Sequence, residues 1–430
     1  MPVDMKIIQG RVRARTEVHV PGSKSFTHRV LIAAALSDGL CVIENPLFSE
    51  DTLLTINALE RMGVRIEACE DLAKVLGTGG SLAPCTEPIY LGNSGTSMRL
   101  LAAVAALGKG DYRFYGTSRM HQRPIADLLG ALNQIKVHAS SFDGTGCPPI
   151  TITGGSALGG TVRLDCSKSS QYLSALLLIA PCTRFGMEIF TQGRVVSRPY
   201  IDLTVDVMER FGVSVKRNGY ERFYVPPGQV YRSGTCDVEP DASQAGYFWA
   251  AAAITGACIT VQGLSRQSRQ GDVRFTEVLE RMGCRIVESS RGIEVCGRGE
   301  LRPVDADMGD MPDLVPTLAV VAAFADGVTT IRNVGHLKEK ESDRLAAVAT
   351  ELKRMGIDAS FTDSELRIAG GKPSGALIHT YNDHRMAMSF ALAGLQTPGI
   401  VIENKECVVK SFPNFWHVFE SLYDFHEGQR

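Results

Sequence analysis

The chain repeats itself six times, and that periodicity constrains its fold more than any other feature. At Lys24, Asn93, Ser167, Asp241, Asp310 and Tyr381 a polar cluster runs into an apolar segment, at intervals of 69 to 74 residues. The segments read KSFTHRVLIAAAL, NSGTSMRLLAAVAAL, SKSSQYLSALLLIA, DASQAGYFWAAAAI, DMPDLVPTLAVVAAF and YNDHRMAMSFALAGL. Each predicts a buried, Ala- and Leu-rich helix entered through hydrogen-bonding residues. A period of this length marks stacked copies of one supersecondary unit. A helix start exposes unpaired N–H groups and the positive end of the dipole, so converging starts would make a strong anion site.

A second motif keeps the same period half a unit later. It reads ALERMGVRIE (58–67), LGALNQIKVHA (129–139), VMERFGVSVK (207–216), VLERMGCRIV (278–287) and ELKRMGIDAS (351–360), and is worn to VFESLYDFHE (418–427). It predicts a helix stopped by Gly, or worn away from it, and mostly followed by an alternating strand. Two motifs in phase predict repeated strand–helix–strand–helix–strand units, hence an α/β chain of α+β repeats. Three units fit residues 21–237 and three fit 238–430, giving two domains of threefold pseudo-symmetry with a cleft between them. The final unit is degenerate, so the opening strand (residues 5–20) is assigned to the second half. That domain is then discontinuous, 1–20 plus 238–430, and the two crossings form a hinge.

A net charge of −2 argues against nucleic acid as the main partner. No apolar run reaches the ~18 residues of a membrane span; the most apolar stretch, Tyr172 to Pro181, predicts a buried helix. The N-terminus has no signal-peptide core: Arg11, Arg13 and Arg15 alternate with Val12 and Ala14 as in a strand. Eleven cysteines without a C-x-x-C pair suggest reduced thiols in a cytoplasmic protein. Zinc-protease, Walker A, nucleophile-elbow and dinucleotide motifs are all missing from the sequence.

The polar clusters hold the candidate chemistry. PGSKSFTHR sets Lys24, Ser25, His28 and Arg29 on the first turns of a helix. Alone it is a capped helix start; five equivalents elsewhere favour a ligand site. GNSGTSMR offers close backbone approach at Gly95, and SKSSQ offers Ser169, Ser170 and Gln171 at another start. Arg123, Lys340, Arg344, Arg385 and Lys410 sit at equivalent unit junctions, where guanidinium forks suit carboxylates and phosphates. Asp313 and Glu341 are the carboxylates placed for proton transfer in this basic setting. A helix-dipole partner and a helix-face ion pair account for them equally well. His28, His121, His336 and His384 lack metal-ligand spacing and are read as hydrogen-bonding residues.

PGSKSFTHR, GNSGTSMR, RPI, SSQYLSALL, SRPYIDLT, DASQAGYFWAAAA, QGDVRF, DMPDLVPT, KEKESDRL, YNDHRMAMSFAL and KSFPNFW together resemble the 5-enolpyruvylshikimate-3-phosphate synthase family over nearly the whole chain. The resemblance implies βαβαββ-type units in two domains that close over two anionic substrates, phosphoenolpyruvate and shikimate 3-phosphate. It implies transfer of the carboxyvinyl group to the 5-hydroxyl, on the route to chorismate and aromatic amino acids, by a monomer without metal or organic cofactor. It assigns Lys24, Ser25, Arg29, Ser169, Ser170, Gln171, Ser197, Asp313, His336 and Lys340 to shikimate 3-phosphate. It assigns Lys24, Gly95, Arg123, Gln171, Arg344, Arg385 and Lys410 to phosphoenolpyruvate. Asp313 becomes the base for the hydroxyl; Glu341, with Lys24, handles the proton at the methylene carbon. Two positions depart from the pattern: His336 stands where many relatives carry Asn, and Leu100 where many carry Pro. Glyphosate inhibition is expected despite Leu100, because Gly95 leaves room beside the pocket. The sister transferases acting on UDP-N-acetylglucosamine usually carry a reactive Cys near 111–119, where this chain reads DYRFYGTSR. A non-catalytic anion binder would not need Asp313, Glu341 and Lys24 together, and RNA 3′-terminal phosphate cyclase fits poorly.

Overall fold

The two motifs become two sets of helices. In the computed structural model, which describes residues 5–8 and 12–423, the inner set is Lys24–Ala35, Gly95–Ala105, Gln171–Ile179, Ala242–Thr255, Val315–Ala322 and His384–Ala391. The outer set is Glu50–Arg61, Ala126–Gln134, Pro199–Arg210, Phe275–Arg281, Arg344–Arg354 and Phe415–Glu420. Past their polar starts the inner helices are mainly apolar, and from Ala242 to Ile254 every residue is buried. A helix with no polar face belongs at the centre of a core. Packing there is close: a Cβ on Gly246 would lie 2.2 Å from Leu314 Cδ2. Outer helices are amphipathic; Leu345, Val348 and Leu352 face inward while Lys353 and Arg354 face solvent.

Helix ends follow the sequence signals. Ser23, Ser94, Asp241 and Asp383 accept hydrogen bonds from the N–H groups of Phe26, Ser97, Gln244 and Arg385, caps worth about 1 kcal/mol each. After the outer helices the chain turns through positive φ at Gly63, Gly212, Gly283 and Gly356. In the second repeat Lys136 makes the same turn at φ 70°, a conformation costing a residue with a Cβ about 1–2 kcal/mol. The geometry has outlasted the glycine.

Each repeat contributes a small sheet of one topology. In Gly160–Asp165, Met187–Gln192, Arg222–Val225 and Lys216–Asn218, taken in spatial order, the first pair is parallel and the others antiparallel. The first and fourth repeats borrow their outer parallel strand: Thr235–Asp237 joins Leu40–Glu44, and Arg15–Val18 joins Cys258–Gln262. The sixth sheet has three strands, Met5–Ile7, Val401–Glu403 and Leu377–Ile378.

The opening segment therefore differs from the single strand expected over 5–20. It forms two short strands in two sheets, with Val12 bridging Tyr423 between them in sequence. The reason lies in the sixth repeat, where no strand follows Phe415–Glu420 among the described residues. Met5–Ile7 takes the position that a later strand fills in the other repeats. Arg11 and the last four residues of the worn motif (424–427) lie outside the described residues.

The chain divides into two compact units, Gly22–Glu239 and Met1–Pro21 with Pro240–Arg430. Each has its own core, around Phe26, Tyr112, Tyr172 and Phe223 in one and Phe248, Trp249, Phe412 and Phe415 in the other. No helix among the described residues is long and apolar enough to cross a membrane. The apolar stretch from Tyr172 lies in the buried helix Gln171–Ile179 and the 3-10 turn Ala180–Cys182. One expectation is overturned: the thiols are not all reduced, because Cys258 and Cys296 are bonded, while the other nine are free. They face each other across adjacent antiparallel strands, a proximity that a sequence separation of 38 conceals.

Candidate active site

In the Gly22–Glu239 unit three inner-helix starts are tied into a ring. The first helix meets the second through hydroxyls. His28 Nδ1 lies 2.8 Å from Thr55 Oγ1, and Thr55 Oγ1 lies 2.8 Å from Ser97 Oγ. The second meets the third where Gln171 Nε2 donates to Thr96 Oγ1 at 3.0 Å and Arg99 Nη1 donates to Gln171 Oε1 at 2.7 Å. The third meets the first where Arg29 Nη2 donates to Ser174 Oγ at 3.1 Å. Three sets of helix-start N–H groups and their positive dipole ends therefore converge.

Cations line this ring. Lys24 Nζ pairs with Asp51 Oδ2 at 2.9 Å, both largely buried. Arg29 is only 1% exposed, and its other nitrogens donate to Thr204 Oγ1 at 2.7 Å and the Ser25 carbonyl at 2.8 Å. All three partners are neutral, and burial pushes the guanidinium down to about 10. A buried charge without a counter-ion is costly, so Arg29 is poised for an anion. At Gly95 a Cβ would lie 2.5 Å from Arg123 Nη2 and 3.0 Å from Arg99 Nη1. A side chain there would push those two guanidiniums from their places. Arg123 is aimed by bonds to Asn93 O at 2.8 Å and Asn93 Oδ1 at 3.2 Å. Arg99 is fixed by the Pro124 carbonyl at 3.1 Å and by the Tyr172 ring. Ser169 Oγ accepts from the Gln171 N–H at 3.2 Å, and Ser170 is buried beside it. Ser197, also buried, holds φ 53° just ahead of Pro199–Arg210.

The other unit carries carboxylates among its cations. Asp313 Oδ1 accepts from Arg344 Nη1 at 3.0 Å with Lys340 Nζ 3.7 Å away, while Asp313 Oδ2 accepts from Arg385 Nη2 at 3.1 Å. Arg344 also donates to Glu341 Oε2 at 3.0 Å and grips Asp383 through Nε at 2.8 Å and Nη2 at 3.1 Å. Arg385 Nη1 donates to Tyr247 Oη at 3.1 Å, which ties the helix Ala242–Thr255 to His384–Ala391. Lys410 is buried, and the next residue, Ser411, accepts from Gln244 Nε2 at 2.8 Å. His336 lies half-buried on the 3-10 turn Gly335–Glu339 that leads to Lys340. His121 lies in a separate 3-10 turn, Met120–Gln122, where its Nε2 accepts from the Gly116 N–H.

Electrostatics sharpen this cluster. Burial pulls the Arg344 guanidinium down, but Asp383, Glu341 and Asp313 outweigh it and the net shift is upward. Arg385 behaves alike, with Tyr247, Asp313 and Asp241 opposing burial. Burial also raises the Tyr247 hydroxyl to about 12. Asp272 is pushed up to about 7, by burial first and then by the charge of Asp313. Sequence reasoning did not single out Arg99, Tyr247, Asp272 or Asp383. Each lies inside a motif already noted (GNSGTSMR, DASQAGYFW, QGDVRF and YNDHR), but its role depends on side-chain direction across helices.

Repeated helix starts, buried guanidiniums and a carboxylate held between two of them define a six-repeat α/β protein with cations and carboxylates gathered at its helix starts. The model of the EPSP synthase (3-phosphoshikimate 1-carboxyvinyltransferase) family matches residues 8–419, so the chain belongs to that family. It is 44% identical to the 3-phosphoshikimate 1-carboxyvinyltransferase of Syntrophobacter fumaroxidans, covering 95% of this chain and 97% of the relative. It is 43% identical to the Serratia proteamaculans enzyme of that name, with 98% of each covered. The solved EPSP synthase of Acinetobacter baumannii superposes with a TM-score of 0.81 at 29% identity, covering 97% of this chain and 98% of that one.

Proposed function

We propose a residue-level account of the reaction that this family membership implies. The carboxyvinyl group of phosphoenolpyruvate moves to the 5-hydroxyl of shikimate 3-phosphate, and inorganic phosphate leaves. One observation carries the chemistry: Asp313 lies between Arg344 at 3.0 Å and Arg385 at 3.1 Å, with Lys340 at 3.7 Å. A carboxylate so placed can take a proton from a hydroxyl while the cations hold the neighbouring anions.

Shikimate 3-phosphate is assigned to Ser25, Arg29, Ser169, Ser170, Gln171 and Ser197, with Lys24, Asp313, His336 and Lys340. Arg29, buried among neutral oxygens, supports the phosphate assignment. Phosphoenolpyruvate is assigned to Gly95, Arg123, Arg344, Arg385 and Lys410, with Lys24 and Gln171. Arg385 supports this, because its buried Nε has no hydrogen-bond partner.

The chemistry runs by addition and elimination. Glu341, with Lys24, delivers a proton to the methylene carbon, and the cationic character that develops at C2 is met by the 5-hydroxyl oxygen. Asp313 accepts that oxygen's proton, and a tetrahedral intermediate forms. Loss of phosphate and of one methyl proton restores the double bond. The enzyme is read as a cytoplasmic monomer needing no metal, organic cofactor or nucleic acid, a reading supported by the family resemblance.

Phosphate release is the test, with phosphoenolpyruvate plus shikimate 3-phosphate, phosphoenolpyruvate plus UDP-N-acetylglucosamine, and each compound alone. The account expects release with the shikimate pair only, and its loss in Asp313→Ala. Release with the nucleotide sugar would assign the sister reaction instead.

A further inference from the structure

We propose that Cys258 and Cys296 form a reversible thiol–disulfide site that exchanges with a low-molecular-weight disulfide such as glutathione disulfide. The strands Arg15–Val18, Cys258–Gln262, Gly292–Cys296 and Arg285–Ser289 lie side by side in one sheet. Their register sets Arg15, Cys258, Cys296 and Arg285 in a single row. Residues in one row share a face. Ile259, Val261, Ile293 and Val295 fill the opposite face and are buried in the core. The row therefore faces outward: Arg15 and Arg285 are exposed, Cys258 is half-buried and Cys296 is covered.

The backbone brings the sulfurs together. Gly297 N–H donates to Ala257 O at 3.0 Å, which makes Cys258 and Cys296 a non-hydrogen-bonded pair. Side chains approach most closely in such pairs, and the two Cα atoms are 4.0 Å apart. The thiolate is the form that attacks disulfides; Arg15 and Arg285 flank the pair in its row, and Arg15 offsets the charge of the carboxylate nearest to it. Glu294, held by Arg15 at 3.0 Å, has a carboxylate oxygen within 4.8 Å of both sulfurs. The other nine cysteines are free, so this is the one bonded pair among the described residues.

The exchange balances without any further reactant. The Cys258 thiolate attacks one sulfur of glutathione disulfide, that S–S bond breaks, and one glutathione leaves and takes up a proton. The Cys296 thiolate then attacks the Cys258 sulfur and expels the second glutathione. Two protein thiols are oxidised and one glutathione disulfide is reduced to two thiols; excess glutathione reverses both steps. Cys258 follows the C-terminal end of the helix Ala242–Thr255, whose other end carries Asp241 and Gln244. The helix is 14 residues long, or about 21 Å from end to end. Oxidation therefore stiffens the sheet at the end of this helix remote from those residues.

Full-length protein equilibrated over a series of glutathione to glutathione-disulfide ratios, then alkylated and peptide-mapped, tests this directly. The expected result is one pair of thiols that cycles, mapped to Cys258 and Cys296, with Tm several degrees higher in the oxidised form. Cys296→Ser should trap one glutathione on Cys258, and the Tm of the double Cys258→Ala/Cys296→Ala variant should ignore the redox ratio. Thiols reduced at every ratio, a cycling pair elsewhere, no trapped glutathione, or one tightly held zinc ion per reduced chain would each overturn the proposal. None of these readouts depends on turnover, so they stand or fall apart from the transferase account.

Discussion

Asp383 accepts four hydrogen bonds with no exposed surface, and replacing it with Asn exposes the logic of the Asp313 cluster. Its Oδ2 takes Ser342 Oγ at 2.9 Å and Arg344 Nε at 2.8 Å, while Oδ1 takes Arg344 Nη2 at 3.1 Å and the Arg385 N–H at 3.0 Å. Turned one way, the Asn NH2 faces two N–H donors, Arg344 Nη2 and the Arg385 N–H; turned the other way, it can donate to Ser342 Oγ but faces Arg344 Nε, so at least one bond to Arg344 is lost either way. Hydrogen bonds to charged groups contribute about 1.5–3 kcal/mol each, and breaking a buried ion pair costs about 3–5 kcal/mol. Arg344 keeps Asp313 and Glu341, which places Asp383→Asn near the lower end, at ~3 kcal/mol. Arg344 would also shift, and a misplacement of ~1 Å costs ~100-fold in rate. Urea unfolding and steady-state kinetics read the two effects separately. A loss below ~1 kcal/mol with unchanged kcat/KM would refute the claim that Asp383 aims Arg344.

Three further outcomes follow from the same geometry. Gly95→Ala puts a methyl 2.5 Å from Arg123 Nη2; KM for phosphoenolpyruvate should rise ~10–100-fold as Arg123 loses its bonds to Asn93, each worth ~1.5–3 kcal/mol, and an unchanged KM would refute the contact. Arg29→Gln removes a buried cation with neutral partners, so it should weaken shikimate 3-phosphate binding ~100-fold or more without lowering Tm; a large fall in Tm would show the charge to be structural. Asp272 is held protonated up to about pH 7, against 3.8 when unperturbed. Between those values the folded chain keeps a proton that the unfolded chain has lost, so stability falls as pH rises through the window. Asp272→Asn should flatten that slope in thermal unfolding, and an unaltered slope would exclude Asp272 as its source.

The sequence made the repeat legible because each inner helix must be mainly apolar past its polar start, and each outer helix must stop before a strand. PGSKSFTHR announced its helix as an ordinary capped start, and the glycines of the second motif, Gly63, Gly212, Gly283 and Gly356, announced the stops. The Lys136 turn was weaker as a signal, since only its neighbours in phase mark it. The division of the opening segment was hidden because Met5–Ile7 answers a vacancy some 400 residues away in sequence. Charged site residues stood out by type and position, whereas Asp383 and Tyr247 act by gripping Arg344 and Arg385. Such second-hand roles need the register between helices, which periodicity does not supply. The Cys258–Cys296 pair is hidden for the same reason, because strand register alone opposes them.

Running the reaction in D2O and weighing the product tests the central claim most directly. Transient protonation of the methylene carbon predicts a product heavier than shikimate 3-phosphate by one carboxyvinyl group, with deuterium in its vinyl CH2. That product should disappear in Asp313→Ala. A carboxyvinyl product free of deuterium would contradict the addition–elimination account, and no product at all would contradict the transferase assignment itself.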